Sequence, residues 1–152
     1  MDAFMFAVIK KMKKMKKHKS INEVLKKGQI SVNLPVTIIL VGGLILSIFL
    51  LPLILPEEDV GIGILIGVIL CFVSAWLWWS YKIVKWRIWA FENTKKSDWN
   101  NLKQRAVSQQ LIWSDGSIFE KTEIRSKEET QKINKINFEI KQNETNGIKG
   151  NL

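Results

Sequence analysis

Two long uncharged stretches dominate the pattern of apolar and polar positions along this chain. The first runs from Leu34 to Leu55 and the second from Val60 to Tyr81, and neither contains a charged residue. At 1.5 Å per residue, an α-helix over either stretch is about 33 Å long, which suffices for the roughly 30 Å hydrocarbon core of a bilayer. The pattern therefore predicts two transmembrane helices, at residues 34–55 and 60–81.

The connection between the two stretches is very short. Only residues 56–59, Pro-Glu-Glu-Asp, separate them. The second helix must then return beside the first, which predicts a transmembrane hairpin with an acidic loop. A buried helical pair in a soluble domain is the alternative, but the rest of the chain is too polar to enclose two uncharged helices of this length.

Basic residues indicate how the hairpin is oriented. Residues 1–33 carry nine lysines and residues 82–113 carry seven Lys or Arg, whereas loop 56–59 carries three acids and no base. Because basic flanks remain on the cytoplasmic side, we expect both termini in the cytoplasm and the loop outside. The expected location is the inner membrane of a bacterium, with two spans.

Two sets of residues in and beyond the second stretch have predicted roles in the membrane. One set recurs at intervals of four and places small side chains on one helix face, where another helix can approach closely; it is Gly63, Gly67, Cys71 and Ala75. Packing within the hairpin is favoured over self-association. The other set is an expected interfacial belt of aromatic residues: Trp76, Trp78, Trp79, Tyr81, Trp86 and Trp89.

The N-terminal segment, residues 1–33, begins with a predicted amphipathic helix. Its apolar positions recur at helical spacing, and lysines fill most of the others. Such a helix is expected to lie on anionic lipid headgroups, each lysine contributing about 1 kcal/mol. The expected lipid contacts are Lys10, Lys11, Lys13, Lys14, Lys16, Lys17 and Lys19. One alternative is a topology signal without a binding role. Another is nucleic-acid binding, although the lysines do not alternate with aromatic residues on which bases could stack.

Residues 82–125 predict a small cytoplasmic unit of helices rich in tryptophan. Apolar residues continue at helical spacing, with a pause near residues 93–96 and a new start at Ser97. Residues 111–119 hold two short apolar runs around Ser-Asp-Gly, which predicts either a tight β-hairpin with Gly116 at positive φ or a helix end at that glycine. The candidate partner surface is Trp99, Trp113 and Phe119, for which a core role is the alternative.

The last segment, residues 126–152, is a polar tail. Its isoleucines at 133, 136 and 140 predict a short helix after Ser126, and residues 142–152 have the composition of a disordered segment. The predicted fold class is thus an all-α membrane protein. It combines a two-helix transmembrane hairpin with an amphipathic N-terminal helix and a small helical C-terminal region, with a short β-hairpin as an open alternative at residues 111–119.

Composition excludes several classes of function. Two spans in a chain of 152 residues leave no room for a large catalytic domain, and one Cys and one His provide neither a disulfide nor a zinc set. No nucleophile with a matched base, no paired carboxylates and no phosphate-binding loop is recognisable. We therefore expect no enzymatic activity, cofactor, metal or small-molecule substrate. The spans also lack ionisable groups, which disfavours ion transport.

The net charge of +9 indicates an anionic partner such as lipid headgroups. The favoured hypothesis is a membrane-anchored adaptor that binds a protein partner or a second copy of itself at the cytoplasmic leaflet. An oligomeric pore-forming protein, similar to phage holins in having two spans, is the first alternative and rests on analogy of fold alone. A membrane-tethered nucleic-acid binder is the second.

Overall fold

The computed structural model describes residues 18–149, and this part of the chain is helical and contains no strand. The α-helices, in chain order, are α1 Ile21–Gly28, α2 Leu34–Phe49, α3 Leu51–Ile54, α4 Glu57–Asn93, α5 Trp99–Ser108 and α6 Lys127–Lys149. A π-helical turn, Gln29–Asn33, joins α1 to α2, and 3₁₀ turns occur at Lys96–Asp98 and Ile118–Thr122. The β-hairpin considered for residues 111–119 is therefore wrong.

Prolines shape the first long helix, which runs with small irregularities from Ile21 to Ile54. Pro35 has no N–H and its ring displaces the carbonyl one turn earlier. The backbone hydrogen bonds of the helix accommodate this proline through a π-helical turn, in which the N–H of Leu34 donates to the carbonyl of Gln29. The helix then ends at Leu55, whose extended backbone leads into Pro56 and the start of α4.

Helix α4 is a single element of 37 residues, Glu57–Asn93. Its first turn carries three acids, whose negative charges interact favourably with the positive end of the helix dipole. The predicted boundary at residue 81 falls inside this helix, where Trp, Lys, Ile and Val continue without Gly or Pro. The predicted second span and the start of the predicted cytoplasmic unit are thus one continuous element.

The core of the molecule lies where α1, the last part of α4, α5 and α6 pack together, and we call this part the helical head. Its fully buried side chains come from all four helices and from the segment after α5. They include Val24, Leu25, Ile83, Val84, Phe91, Leu102, Leu111, Ile133 and Ile140. The tail is therefore part of the head through α6, whose isoleucines fill its core.

Helix α6 begins with a reciprocal capping box. The N–H of Glu129 donates to the Ser126 Oγ at 3.2 Å, and the N–H of Ser126 donates to the Glu129 carboxylate at 2.8 Å. The helix then continues to Lys149, beyond the short helix predicted and through most of the segment whose composition indicated disorder. Burial of its isoleucines against α4 and α5 accounts for this stability over its first half.

The end of α5 is set by Gln110 rather than by Gly116. Gln110 has φ of 56°, and the N–H of Leu111 donates to the carbonyl of Ala106 at 2.9 Å, which closes the helix in the manner of a Schellman motif. Gly116 has the predicted positive φ, 81°, but lies in a separate turn in which the N–H of Ser117 donates to the carbonyl of Ser114. The helix-end alternative for Gly116 is therefore also wrong.

Candidate functional site

An exposed apolar band surrounds α2, α3 and the first part of α4. The helices Ile21–Ile54 and Glu57–Asn93 are long and apolar enough to cross a membrane by length and composition. Only 6% of the most apolar window of each helix is buried. A core helix of a water-soluble domain buries most of such a window. The band, whose exposed side chains extend from Ile30 to Tyr81, is therefore left uncovered by the described part of the chain.

The small residues predicted to share one face of α4 lie against the first long helix. A Cβ added to Gly67 would come within 2.5 Å of the Ser47 Oγ, and one added to Gly63 would overlap the Leu55 side chain. Such close approach is possible only because these positions lack a side chain. All four residues of the predicted face make contacts within this chain: Gly63, Gly67, Cys71 and Ala75.

The residues predicted to form an interfacial belt differ in exposure, and Trp79 and Trp89 are partly buried against the head. Trp76, Trp78 and Tyr81 are exposed at the end of the apolar band. Trp86 is instead only 4% exposed, and its indole Nε1 donates to the carbonyl of Val24 at 3.2 Å. The belt assignment therefore does not hold for Trp86, because this side of α4 is covered by α1. Helical spacing alone does not reveal which face a second helix covers.

Lysines lie over several of these aromatic rings. The Lys27 Nζ is 3.8 Å from the ring centroid of Trp89, which is half-buried between α1 and α4. Lys82 lies over the ring of Trp78 at 4.8 Å. The Lys82 contact places positive charge directly after the apolar band, whereas the Lys27 contact lies further along α4, in the head.

Two of the three candidate partner residues are brought together in a segment that we call the aromatic loop, residues 113–124. Trp113 stacks on Phe119 with ring centroids 4.7 Å apart. Phe119 also contacts Trp76 at 6.0 Å, and Trp113 contacts Trp79 at 5.9 Å. The aromatic loop is thus attached to the last turns of the apolar band on α4.

The third candidate, Trp99, is separated from this cluster. It is 7% exposed, its Nε1 donates to the carbonyl of Thr94 at 3.2 Å, and its ring meets that of Phe91 edge-on at 5.5 Å. Trp99 therefore belongs to the core, in line with the alternative considered for it, and does not offer a partner surface of its own.

A group of four charges, of which Arg87 and Glu123 are buried, holds the aromatic loop against α4. Arg87 forms ion pairs with Glu123 at 3.2 Å and with Glu120 at 3.4 Å, and Arg125 pairs with Glu123 at 2.8 Å. The side chains of Arg87 and Glu123 are 5% and 0% exposed. Two positive and two negative charges balance, as burial requires. Sequence reasoning missed this cluster, because Arg87 is more than thirty residues from the other three members and no local pattern connects them.

The end of the head farthest from the apolar band has a cleft of about 570 Å³. Its lining mixes apolar, basic and acidic side chains and includes Trp99, Lys96, Lys132, Lys135 and Glu139. Lys96 forms an ion pair with Glu139 across it. The cleft lies between the end of α4 and the middle of α6, and Phe138 is exposed beside it.

Lys19 lies at this same end, because its N–H donates to the carbonyl of Asn93 at 2.8 Å. Asn93 is about 18 Å beyond Tyr81 at the helical rise. This position separates Lys19 from the apolar band and does not support the predicted lipid contact there. The other predicted lipid-contact lysines, from Lys10 to Lys17, lie outside the described residues.

Residues 18–149 contain no group of three or more His, Cys, Asp or Glu arranged to hold a metal ion. Comparison of the chain with protein-family models, with curated proteins and with solved structures gave no match. The geometry of the apolar band, the head and the aromatic loop therefore carries the functional argument alone.

Proposed function

We propose that this chain is a two-span membrane protein whose helical head holds another protein at the cytoplasmic leaflet. In this proposal α2 with α3 and the first part of α4 cross the bilayer as an antiparallel hairpin. The turn at Pro56 lies outside, and the head lies inside with both termini, because the lysine-rich segments flank the two spans on the head side.

One observation carries the proposal: α4 has two surroundings along its length. From Ile62 to Leu77 its large apolar side chains are mostly exposed, whereas from Ile83 to Phe91 they are mostly buried in the head. A helix with this change fits a protein that passes from lipid into a packed domain, since water would penalise the exposed half at about 25 cal/mol per Å².

The join between the proposed anchor and the head supports an adaptor. Because α4 continues through residue 81 without a linker, the head cannot swing away from the membrane surface. Its distal end, with the cleft and the 61% exposed Phe138, would face the cytoplasm and be accessible to a soluble partner. Gly43, Gly63 and Gly67 are used in contacts within the chain, so pore formation gains no support from these small residues.

Orientation is tested by cysteine labelling in intact cells, in a Cys71→Ala background. Asp59→Cys should react with a membrane-impermeant maleimide added outside, and Ser126→Cys should react only after permeabilisation. Labelling of position 126 in intact cells, with position 59 protected, would reverse the proposed topology.

The adaptor role is tested by photo-crosslinking in the native membrane. A photoreactive amino acid at Phe138 should crosslink one defined protein reproducibly. The matched control is Ile45, which is also exposed and apolar but lies in the apolar band, and a probe there should not crosslink that protein. Absence of a crosslinked protein at Phe138, together with loss of membrane potential on expression, would favour the pore-forming alternative instead.

A further inference from the structure

We propose that the aromatic loop, residues 113–124, lies in the headgroup layer and binds phospholipid directly through its exposed apolar side chains. This inference rests on the proposed membrane span and deepens it. It assigns Trp113 and Phe119 to lipid rather than to a protein partner.

The first argument is the position of the loop along α4. Its contacts fall on Trp76 and Trp79, and the N–H of Ile124 donates to the carbonyl of Ser80 at 3.2 Å. These α4 residues all lie within the second uncharged stretch, at its inner end. The distal end of α4, at Asn93, is about 25 Å from Trp76 at the helical rise. The loop is therefore at the level of the lipid headgroups when residues 60–81 span the bilayer.

The second argument is the polarity of the part of the loop that lies against α4, which is the reverse of that expected in water. Its two glutamates face inward, since Glu123 and Glu120 pair with the buried Arg87, whereas Asp115 and Lys121 elsewhere in the loop are exposed. Its apolar side chains face outward: Ile118 is 77% exposed and Ile124 is 50% exposed. A solvated loop directs charge to water and isoleucine to the core. A loop against lipid reverses this arrangement.

The third argument is continuity with the apolar band. Trp76, itself exposed, joins the band to Phe119, so that loop and band form one surface. Next to this junction Val36, Leu40, Phe72 and Trp113 help to line an apolar groove of about 200 Å³, which can take part of an acyl chain. Tryptophan favours the boundary between hydrocarbon and headgroups. A phospholipid leaflet covers the whole surface, whereas a protein partner would also have to displace lipid from the band.

The test uses an environment-sensitive NBD fluorophore on single cysteines of the full chain, in a Cys71→Ala background, reconstituted into phosphatidylcholine–phosphatidylglycerol vesicles. With Ile118→Cys, NBD emission should shift to the blue, and quenching should be at least twofold stronger with 5-doxyl lipid than with aqueous iodide. The matched control is Phe138→Cys, which is similarly apolar and exposed but lies at the distal end. The label there should be quenched by iodide and not by doxyl lipid.

A third label distinguishes failure of the loop assignment from failure of the proposed membrane span. At Ile45→Cys, 12-doxyl lipid should quench strongly if α2 crosses the bilayer. Quenching at position 45 without quenching by 5-doxyl lipid at position 118 would overturn the loop assignment and leave the span intact. Absence of lipid quenching at position 45 would overturn the span itself. Protection of position 118 only after a membrane protein extract is added would make the loop a protein-docking surface and would also overturn the assignment.

Discussion

Replacing Gly43 by alanine should weaken the packing of α2 against α4, whereas the same change at the neighbouring Gly42 should not. A Cβ on Gly43 would overlap the Cys71 Sγ and lie 3.1 Å from the Cys71 Cβ, but a Cβ on Gly42 would meet nothing within 4 Å. Both changes replace glycine by alanine at adjacent positions in one helix. Their backbone contributions are therefore nearly the same, and only the steric environment differs.

The magnitude follows from two opposing effects. In a helix interior, alanine is more favourable than glycine by about 1 kcal/mol, and both variants share this gain in stability. Overpacking typically costs about 1–3 kcal/mol, and only Gly43→Ala incurs it. Gly43→Ala should thus be about 1–3 kcal/mol less stable than Gly42→Ala. The added Cys71→Ala change removes the overlapping Sγ, so the double variant should recover most of this difference.

The assay is reversible unfolding of the purified full chain in bicelles, with stability measured by steric trapping. Gly42→Ala serves as the control for helix propensity, and Cys71→Ala alone completes the double-mutant cycle. Equal stability of the two alanine variants, or the absence of any recovery on adding Cys71→Ala, would show that α2 and α4 do not pack through this contact.

Two further predictions concern the head. A Cβ on Gly28 would come within 2.7 Å of the Trp86 indole, so Gly28→Ala should destabilise the head by about 1–3 kcal/mol, measurable as a lower Tm in detergent and contradicted by an unchanged Tm. Arg87→Leu should cost about 3–5 kcal/mol because it leaves the carboxylates of Glu120 and the buried Glu123 sharing the single positive charge of Arg125. Lys96→Ala, which breaks an ion pair with an exposed lysine, is its control and should cost less than about 1 kcal/mol; similar losses would contradict the buried network.

The helices with local signals were predicted from the sequence. The two long helices follow from uncharged length, and the start of α6 follows from Ser126 and the isoleucines after it, which lie in the core. The positive φ of Gly116 follows from its turn residues. These features depend on residues within a few positions of one another, which is why sequence reasoning reached them.

The candidate site depended on contacts that are distant in sequence. Trp86 and Trp99 have the same helical spacing and aromatic character as their exposed neighbours, yet α1 and the end of α4 bury them. Continuation of the helical pattern beyond residue 81 to a pause near residues 93–96 was predicted, in contrast, because it rests on apolar residues at local helical spacing, and α4 ends at Asn93.

The sequence by itself determined that this chain has two long apolar helices joined by an acidic turn, because hydrophobic length and charge placement act locally. Only the tertiary structure decided which face of each helix is covered. It showed that Gly43 lies against Cys71, that Arg87 meets Glu123, and that the aromatic loop turns its isoleucines outward. These arrangements arise from packing between distant segments, and no periodicity within one segment specifies its partner.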